Sequence, residues 1–219
     1  MPGNFGSRVF TPIVKELQER YGSRHGYERY TSAATGEDAF SEFEIDFLSR
    51  RDSFYMATVG STGWPYVQHR GGPAGFVKVL DPQTIAFADY RGNKQYVSTG
   101  NLSTDDRVAM IFVDYPNQAR MKILGRVKII DREHAGKTDQ FQPEDPKTPI
   151  ERIFVIHVEA FDWNCPKHIT PRYTAEEIRA VLAPFEIRMQ KLEEENERLR
   201  RQIASDGSPS PAYGPDAPD

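Results

Sequence analysis

The stretch SFYMATVGSTGWPYVQHRGGPAGFVKVLDPQTIAFADY, residues 53–90, decides the fold. FYMATV is a β-type run that ends at Gly60-Ser61-Thr62-Gly63, and PYVQHR resumes it, so the two read as a hairpin. Outward from there, strand patterns recur at short spacing: GFVKVL (75–80), TIAFAD (84–89), RVAMIFVDY (107–115), ARMKILGRVKII (119–130) and ERIFVIHVEAF (151–161). Turn residues such as Asp81-Pro82 and Pro116-Asn117 separate them. Six or seven strands with few helices between them predict a mainly β, antiparallel barrel or sandwich rather than a parallel nucleotide-binding sheet. Within this region only NKQYVSTGNL (93–102) has the pattern of a helical turn, stopped by Gly100-Asn101.

The flanks are helical. Thr11 as cap, Pro12 at the first helical position and the apolar Ile13, Val14 and Leu17 open a helix that stops near Gly22. Ser41 with Glu44 forms a capping box ahead of a second helix reaching about Arg50. Thr174 with Glu177 caps a long C-terminal helix, which Pro184 is expected to kink and which continues as FEIRMQKLEEENERLRRQI. Along it Phe185, Met189, Leu192, Leu199 and Ile203, with Asn196, fall at spacings of four and three. That seam suits pairing with a second helix, where an Asn favours two parallel strands in register, and equally suits packing on the chain's own barrel. The expected division is a helical arm over 1–52, a barrel over 53–165, a helix over 166–203 and a disordered, Pro-rich tail over 204–219.

The 219 residues carry a net charge of −4, 38% hydrophobic and 27% charged side chains. Residues 61–130 hold nine Lys and Arg against five Asp, a basic block in an otherwise acidic chain. Such a block suits a compact anionic ligand better than a nucleic-acid track, which calls for an overall basic domain. A single cysteine, Cys165, excludes an intramolecular disulfide and a cysteine-based zinc site, and the histidines lack ligand spacing, so no metal is expected. His157, in an apolar strand, reads as a hydrogen-bonded core or barrel residue rather than a ligand. With no signal-type or membrane-length apolar run, the expected setting is the cytoplasm, away from membranes.

No phosphate loop, dinucleotide fingerprint, zinc-protease motif or nucleophile elbow is present. Instead, cations and small residues gather at strand ends. Arg70 precedes Gly71-Gly72, whose backbone can turn and offer amides to an anion. Asn93 and Lys94 open the helical turn, where amides and an ammonium suit a phosphate. Arg120 and Lys122 share one strand face. Glycine turns and surface cations would also produce each of these features singly.

Taken together, FYMATV through GRVKII resembles the pyridoxamine 5'-phosphate oxidase-like family of flavin-binding split barrels. FTPIVKELQERYGSR, PYVQHRGGP, FADYRGNKQYVSTGNL and FDWNCPKHITPR are similar to a subgroup of predicted flavin-nucleotide-binding proteins within it. The resemblance implies a split barrel that binds flavin mononucleotide (FMN) across a homodimer interface. It places the phosphate motif on Gly92-Asn93-Lys94, a Tyr-Thr pair on Phe87-Ala88, and a Gln-Val-Arg strand on Arg120-Met121-Lys122. An arginine strand falls on Gln68-His69-Arg70-Gly71. Trp163 and Asn164 would reach the partner's flavin ring, Trp163 otherwise being a core indole. His69 and His168 are candidates for protonating a substrate.

The implied activity is an FMN-dependent oxidoreductase moving hydride or electrons between a small organic molecule and a donor such as NAD(P)H. The alternative is a carrier of flavin, haem or deazaflavin on the same barrel. The Arg and His spacing that completes pyridoxamine phosphate oxidation is absent around His168 and Arg172, so that oxidase activity itself is not expected.

Overall fold

The computed structural model describes residues 4–32, 37–131, 133, 139–141, 149–163, 167–205 and 207. The chain divides into two units, Met1–Pro171 and Arg172–Asp219.

The first unit is built on a seven-stranded antiparallel sheet, consistent with a split barrel, in the order β2-β1-β5-β6-β7-β4-β3. The strands are β1 (Ser53–Val59), β2 (Pro65–Gly71), β3 (Lys78–Asp81), β4 (Thr84–Tyr90), β5 (Arg107–Asp114), β6 (Ala119–Asp131) and β7 (Ile150–Trp163). Period-two alternation places Phe54, Met56, Val108, Met110, Phe112, Met121 and Ile123 inside. Phe87 and Phe154 stack at 5.0 Å, and Phe54 meets Phe87 edge-on at 5.1 Å, so aromatic packing fills the middle of the barrel.

Helices α1 (Asn4–Val9), α2 (Pro12–Arg20), α3 (Arg24–Ser32) and α4 (Glu42–Ser49) precede the sheet. The expected caps form: Thr11 accepts from the Val14 amide, and Ser41 and Glu44 make a reciprocal capping box. α1 and α3 lie outside the sequence expectation because neither has a regular apolar stripe. The buried Asp38 ties this arm to the sheet, accepting from Asn4 Nδ2 at 2.7 Å and from the Phe161 amide at 3.1 Å. β3 is shorter than the 75–80 pattern because Gly75 turns with φ +79° before it.

Of the two readings of His157, a core or a barrel residue, the structure shows the barrel one. It lies on the outer face of β7, half exposed, with Nε2 2.6 Å from Glu37 Oε2. Trp163 packs on Phe47 at 4.6 Å and on Phe43 at 5.2 Å, and its indole N–H donates to Glu44 at 2.9 Å. Burial pushes the Glu44 carboxyl up, but bonds from Ser41 and the Trp163 indole outweigh it and hold the group below the usual carboxylate range. A lowered folded pKa means stability that is present above the unfolded value and lost as pH falls through the folded one. Trp163→Phe should therefore cost about 1 kcal/mol at neutral pH and less once acid has protonated Glu44. Urea unfolding at pH 7 and below pH 4 measures the difference; an equal loss at both would remove Glu44 as the cause.

The second unit contains the 31-residue helix α6 (Ala175–Ser205), opened by Thr174 and Glu177 as a capping box. Pro184 lies within α6, which continues past it, and no α6 residue is buried.

Candidate functional site

Pleating decides which cations meet. Along β2, Gln68 pairs with Met56 and Arg70 with Phe54, on the inner face, whereas His69 pairs with Tyr55 on the outer face. Arg70 and His69 therefore point to opposite sides.

On the inner side a cavity of about 220 Å³ is lined by Gln68 and Arg70 of β2, Asp89 and Tyr90 of β4, Glu151 of β7 and the segment Gly92–Thr99. The sequence-predicted Gln68, Arg70, Asn93 and Lys94 thus come together at one opening. Their support differs from expectation in one respect: helix α5 begins at Val97, not at Asn93, and runs to Leu102. Lys94 and Tyr96 take left-handed φ of 60° and 53°, which keeps the segment before Val97 out of helical geometry. Asn93 Oδ1 accepts from the Gln95 amide at 3.1 Å and folds the loop on itself. α5 is pinned to the hairpin by Ser98 Oγ donating to Gln68 Oε1 at 2.9 Å and Asn101 Nδ2 donating to Thr58 Oγ1 at 3.0 Å.

The charges are arranged in depth. Asp89 Oδ1 accepts from Arg70 Nη1 at 2.5 Å and Oδ2 from Arg152 Nη1 at 2.9 Å, all three side chains being largely buried. Arg152 also reaches Thr99 Oγ1 at 3.3 Å and Glu151 Oε2 at 3.1 Å, and lies over the Tyr96 ring at 4.9 Å. The Arg70 guanidinium lies 5.8 Å from the Phe87 ring centroid and 5.4 Å from that of Phe154, and its Nε is buried without a hydrogen-bond partner. Lys94 is exposed and has no ion-pair partner among the described residues. Both carboxylates at the cavity are thus compensated by arginines, leaving the exposed Lys94 and the Thr99 hydroxyl in the lining and the orphaned Arg70 Nε buried in its wall. A donor set of this kind fits a phosphate monoester. Burial raises the pKa of Tyr90, whose hydroxyl donates to the Phe141 carbonyl at 3.4 Å.

Asp89, Arg152, Ser98 and Thr99 were not singled out from sequence. The available signal was a charge inside each of two apolar strands, TIAFADY and IERIFVI, where charges are seldom buried unpaired.

Other expected site residues lie elsewhere. Phe87 and Ala88 are buried in β4, and β3 reaches back only to Lys78 opposite Ala86, so among the described residues no strand covers that edge of β4 beyond Ala86. Gly71-Gly72 do not both offer amides, because the Gly72 amide donates to the Asp52 carbonyl at 2.9 Å. Gly72 instead serves close packing, since a Cβ there would sit 2.7 Å from the Phe76 ring.

Lys122 is on the outer face, 3.2 Å from Asp162 and 4.5 Å from the Phe5 ring centroid. There it borders a second, apolar cavity of about 210 Å³ with Tyr55, Val67 and Ile111. Arg120 shares that strand face and keeps a buried Nε without a partner. His69 stands edge-on to Tyr55 at 5.4 Å. His168 is exposed with φ 68°. Asn164 and Cys165 lie outside the described residues. No helix among the described residues is long and apolar enough to cross a membrane.

The family described as pyridoxamine 5'-phosphate oxidase matches residues 40–162, which include the sheet and every residue of the inner cavity. The chain belongs to the pyridoxamine 5'-phosphate oxidase family. This is a flavin-binding type of family, and its matched segment runs from just before the α4 cap to Asp162, near the end of β7. Similar solved structures include HupZ of Group A Streptococcus, at 16% identity over 61% of this chain and 99% of that chain, TM-score 0.45. A candidate pyridoxamine 5'-phosphate oxidase of Lactobacillus delbrueckii is 18% identical over 58% and 99%, TM-score 0.45. A Clostridium acetobutylicum protein related to general stress protein 26 is 14% identical over 62% and 94%, TM-score 0.41. No curated protein gives a significant match.

Proposed function

We propose that this family member is an FMN-binding oxidoreductase that moves hydride or electrons to or from a small organic substrate. The observation that carries the reading is the inner cavity within the family segment, where Arg70 and Lys94 face an opening whose carboxylates are already compensated. In this reading Lys94, the Arg70 guanidinium and the Thr99 hydroxyl hold the FMN phosphate by charge-assisted hydrogen bonds. The uncovered edge of β4 at Phe87-Ala88 offers backbone groups to the flavin ring. Bound flavin supplies the redox chemistry; the chain supplies binding, orientation and a polar setting.

A second copy seated on the outer face would cover the exposed Tyr55, Val59 and Val67 and bring Lys122 and Arg120 toward the shared flavin, which is why a homodimer belongs to the proposal. His69, on that same face, is then the candidate proton donor.

The apoprotein should take up FMN and turn yellow, and a preparation that binds no flavin would end the proposal. Lys94→Ala should weaken FMN binding about tenfold, the loss of one exposed charge-assisted contact. Unchanged affinity in a fluorescence titration would remove Lys94 from the phosphate site. A carrier without turnover is the competing reading, supported by the absence of both candidate histidines from the inner cavity. Anaerobic addition of NADH or NADPH separates the two: bleaching of the flavin supports turnover, and persistent oxidised colour with either donor favours the carrier.

A further inference from the structure

We propose that α6 pairs with α6 of a second copy of this chain as a parallel, in-register two-stranded coiled coil. The basis is a seam longer than Phe185–Ile203. With Leu192 and Leu199 at d, the same heptad runs back through Phe185 and Ile178, while Leu182, Met189, Asn196 and Ile203 occupy a. Apart from Asn196, every a and d position from Ile178 to Ile203 is apolar, and each of these apolar side chains is exposed, from 40% at Leu192 to 69% at Ile203. Pro184 falls at c, on the side away from the seam.

The polar flanks and the one polar core position choose the partner and its direction. Arg188 and Glu195 stand at g, and Glu193 and Arg200 at e. In a parallel pair each g residue meets the next e residue across the seam. Arg188 then faces Glu193 of the partner subunit, and Glu195 faces Arg200 of the partner subunit, so both contacts join opposite charges. The intrahelical pair of Glu195 with Arg198, 3.6 Å apart and well exposed, does not compete strongly.

In the fully overlapping antiparallel alternative, Arg188 would meet Glu195, but Glu186 would meet Glu193 and Arg179 would meet Arg200. Asn196 would also lie against Phe185, leaving its amide unpaired. Only parallel, in-register copies put Asn196 opposite Asn196, where two buried amides satisfy one another. The occupant of the seam is therefore the same helix, and the pairing does not depend on flavin.

Site-directed cross-linking of the full chain tests this without reference to the barrel. Leu199→Cys places thiols within the roughly 7 Å backbone separation that a disulfide spans in a parallel pair, and Arg198→Cys places them outside the seam. In a glutathione redox buffer, with Cys165 retained in both chains, Leu199→Cys should give about ten times more disulfide-linked dimer than Arg198→Cys. Adding Asn196→Asp to Leu199→Cys should reduce that yield severalfold at neutral pH, because two carboxylates would face each other. Equal yields at 198 and 199 would overturn the proposal. Cross-linking confined to a mixture of Met189→Cys and Leu192→Cys chains would overturn the parallel arrangement.

Discussion

Gly125→Ala should lower the stability of the barrel by about 3 kcal/mol, at the upper end of the cost of overpacking. Gly125 lies where β6 pairs with β7, the most extensively paired strands of the sheet, and the register shifts there between Leu124 and Gly125. A Cβ at Gly125 would sit 2.5 Å from the His157 carbonyl oxygen and 2.8 Å from Ile156 Cγ2. The first of these is backbone held in the ladder, and the second belongs to a fully buried side chain. Neither can retreat without separating β6 from β7, so the strain falls on the centre of the core rather than on a rotamer. Gly100→Ala is the control, because nothing lies within 4 Å of a Cβ built there. It should leave stability within about 1 kcal/mol of the parent or raise it, since alanine favours helix. Urea midpoints with unchanged slope measure both changes. A Gly125→Ala protein within about 1 kcal/mol of the parent would show that β6 and β7 can part at this point at little cost.

The same pairing shows where sequence could and could not be read. β1, β2, β5, β6 and β7 were legible because one face of each is buried, or in β2 half-buried, and alternation survives in the residue pattern. The bulge was signalled only by a glycine inside ILGRV, which says that something comes close without saying what. α1 and α3 escaped because RHGYERYTS and NFGSRV have no stripe of helical period; the contacts that order α1, through Asn4 and Asp38, are long-range. The start of α5 was misplaced for a local reason, the left-handed φ of Lys94 and Tyr96, which no residue type there advertises.

At the candidate site, Arg70 and Lys94 were legible as cations beside turns, and pleating then separated Arg70 from His69. Asp89 and Arg152 were not, since their meaning depends on the sheet curling until β2 faces β4.

That closure makes Asp89→Asn the substitution with the largest expected effect, a loss of about 3–5 kcal/mol. Asp89 is the sole carboxylate bridging Arg70 and Arg152 among the described residues, with side-chain exposures of 9%, 15% and 13% for the three. An asparagine keeps the shape but removes the charge that lets two guanidinium groups share a largely buried site. It also turns an amide donor toward one of two arginines that can only donate. The cost is thus that of leaving the largely buried Arg70 without a carboxylate and Arg152 with Glu151 alone, not of one lost hydrogen bond. Replacing the whole triad by Arg70→Met, Asp89→Leu and Arg152→Met removes the charges together and should destabilise less than Asp89→Asn alone. If the single change were the milder of the two, Asp89 would be a surface-like partner and not the keystone of the closure.

A second consequence separates architecture from binding. In Asp89→Asn the inner cavity gains net positive charge, so FMN added in excess should restore more stability to this variant than to the parent. Thermal unfolding with and without FMN reads that difference. A smaller FMN-induced shift in the variant would mean that Asp89 holds Arg70 in the pose the phosphate needs, and that losing the pose outweighs the gain in charge.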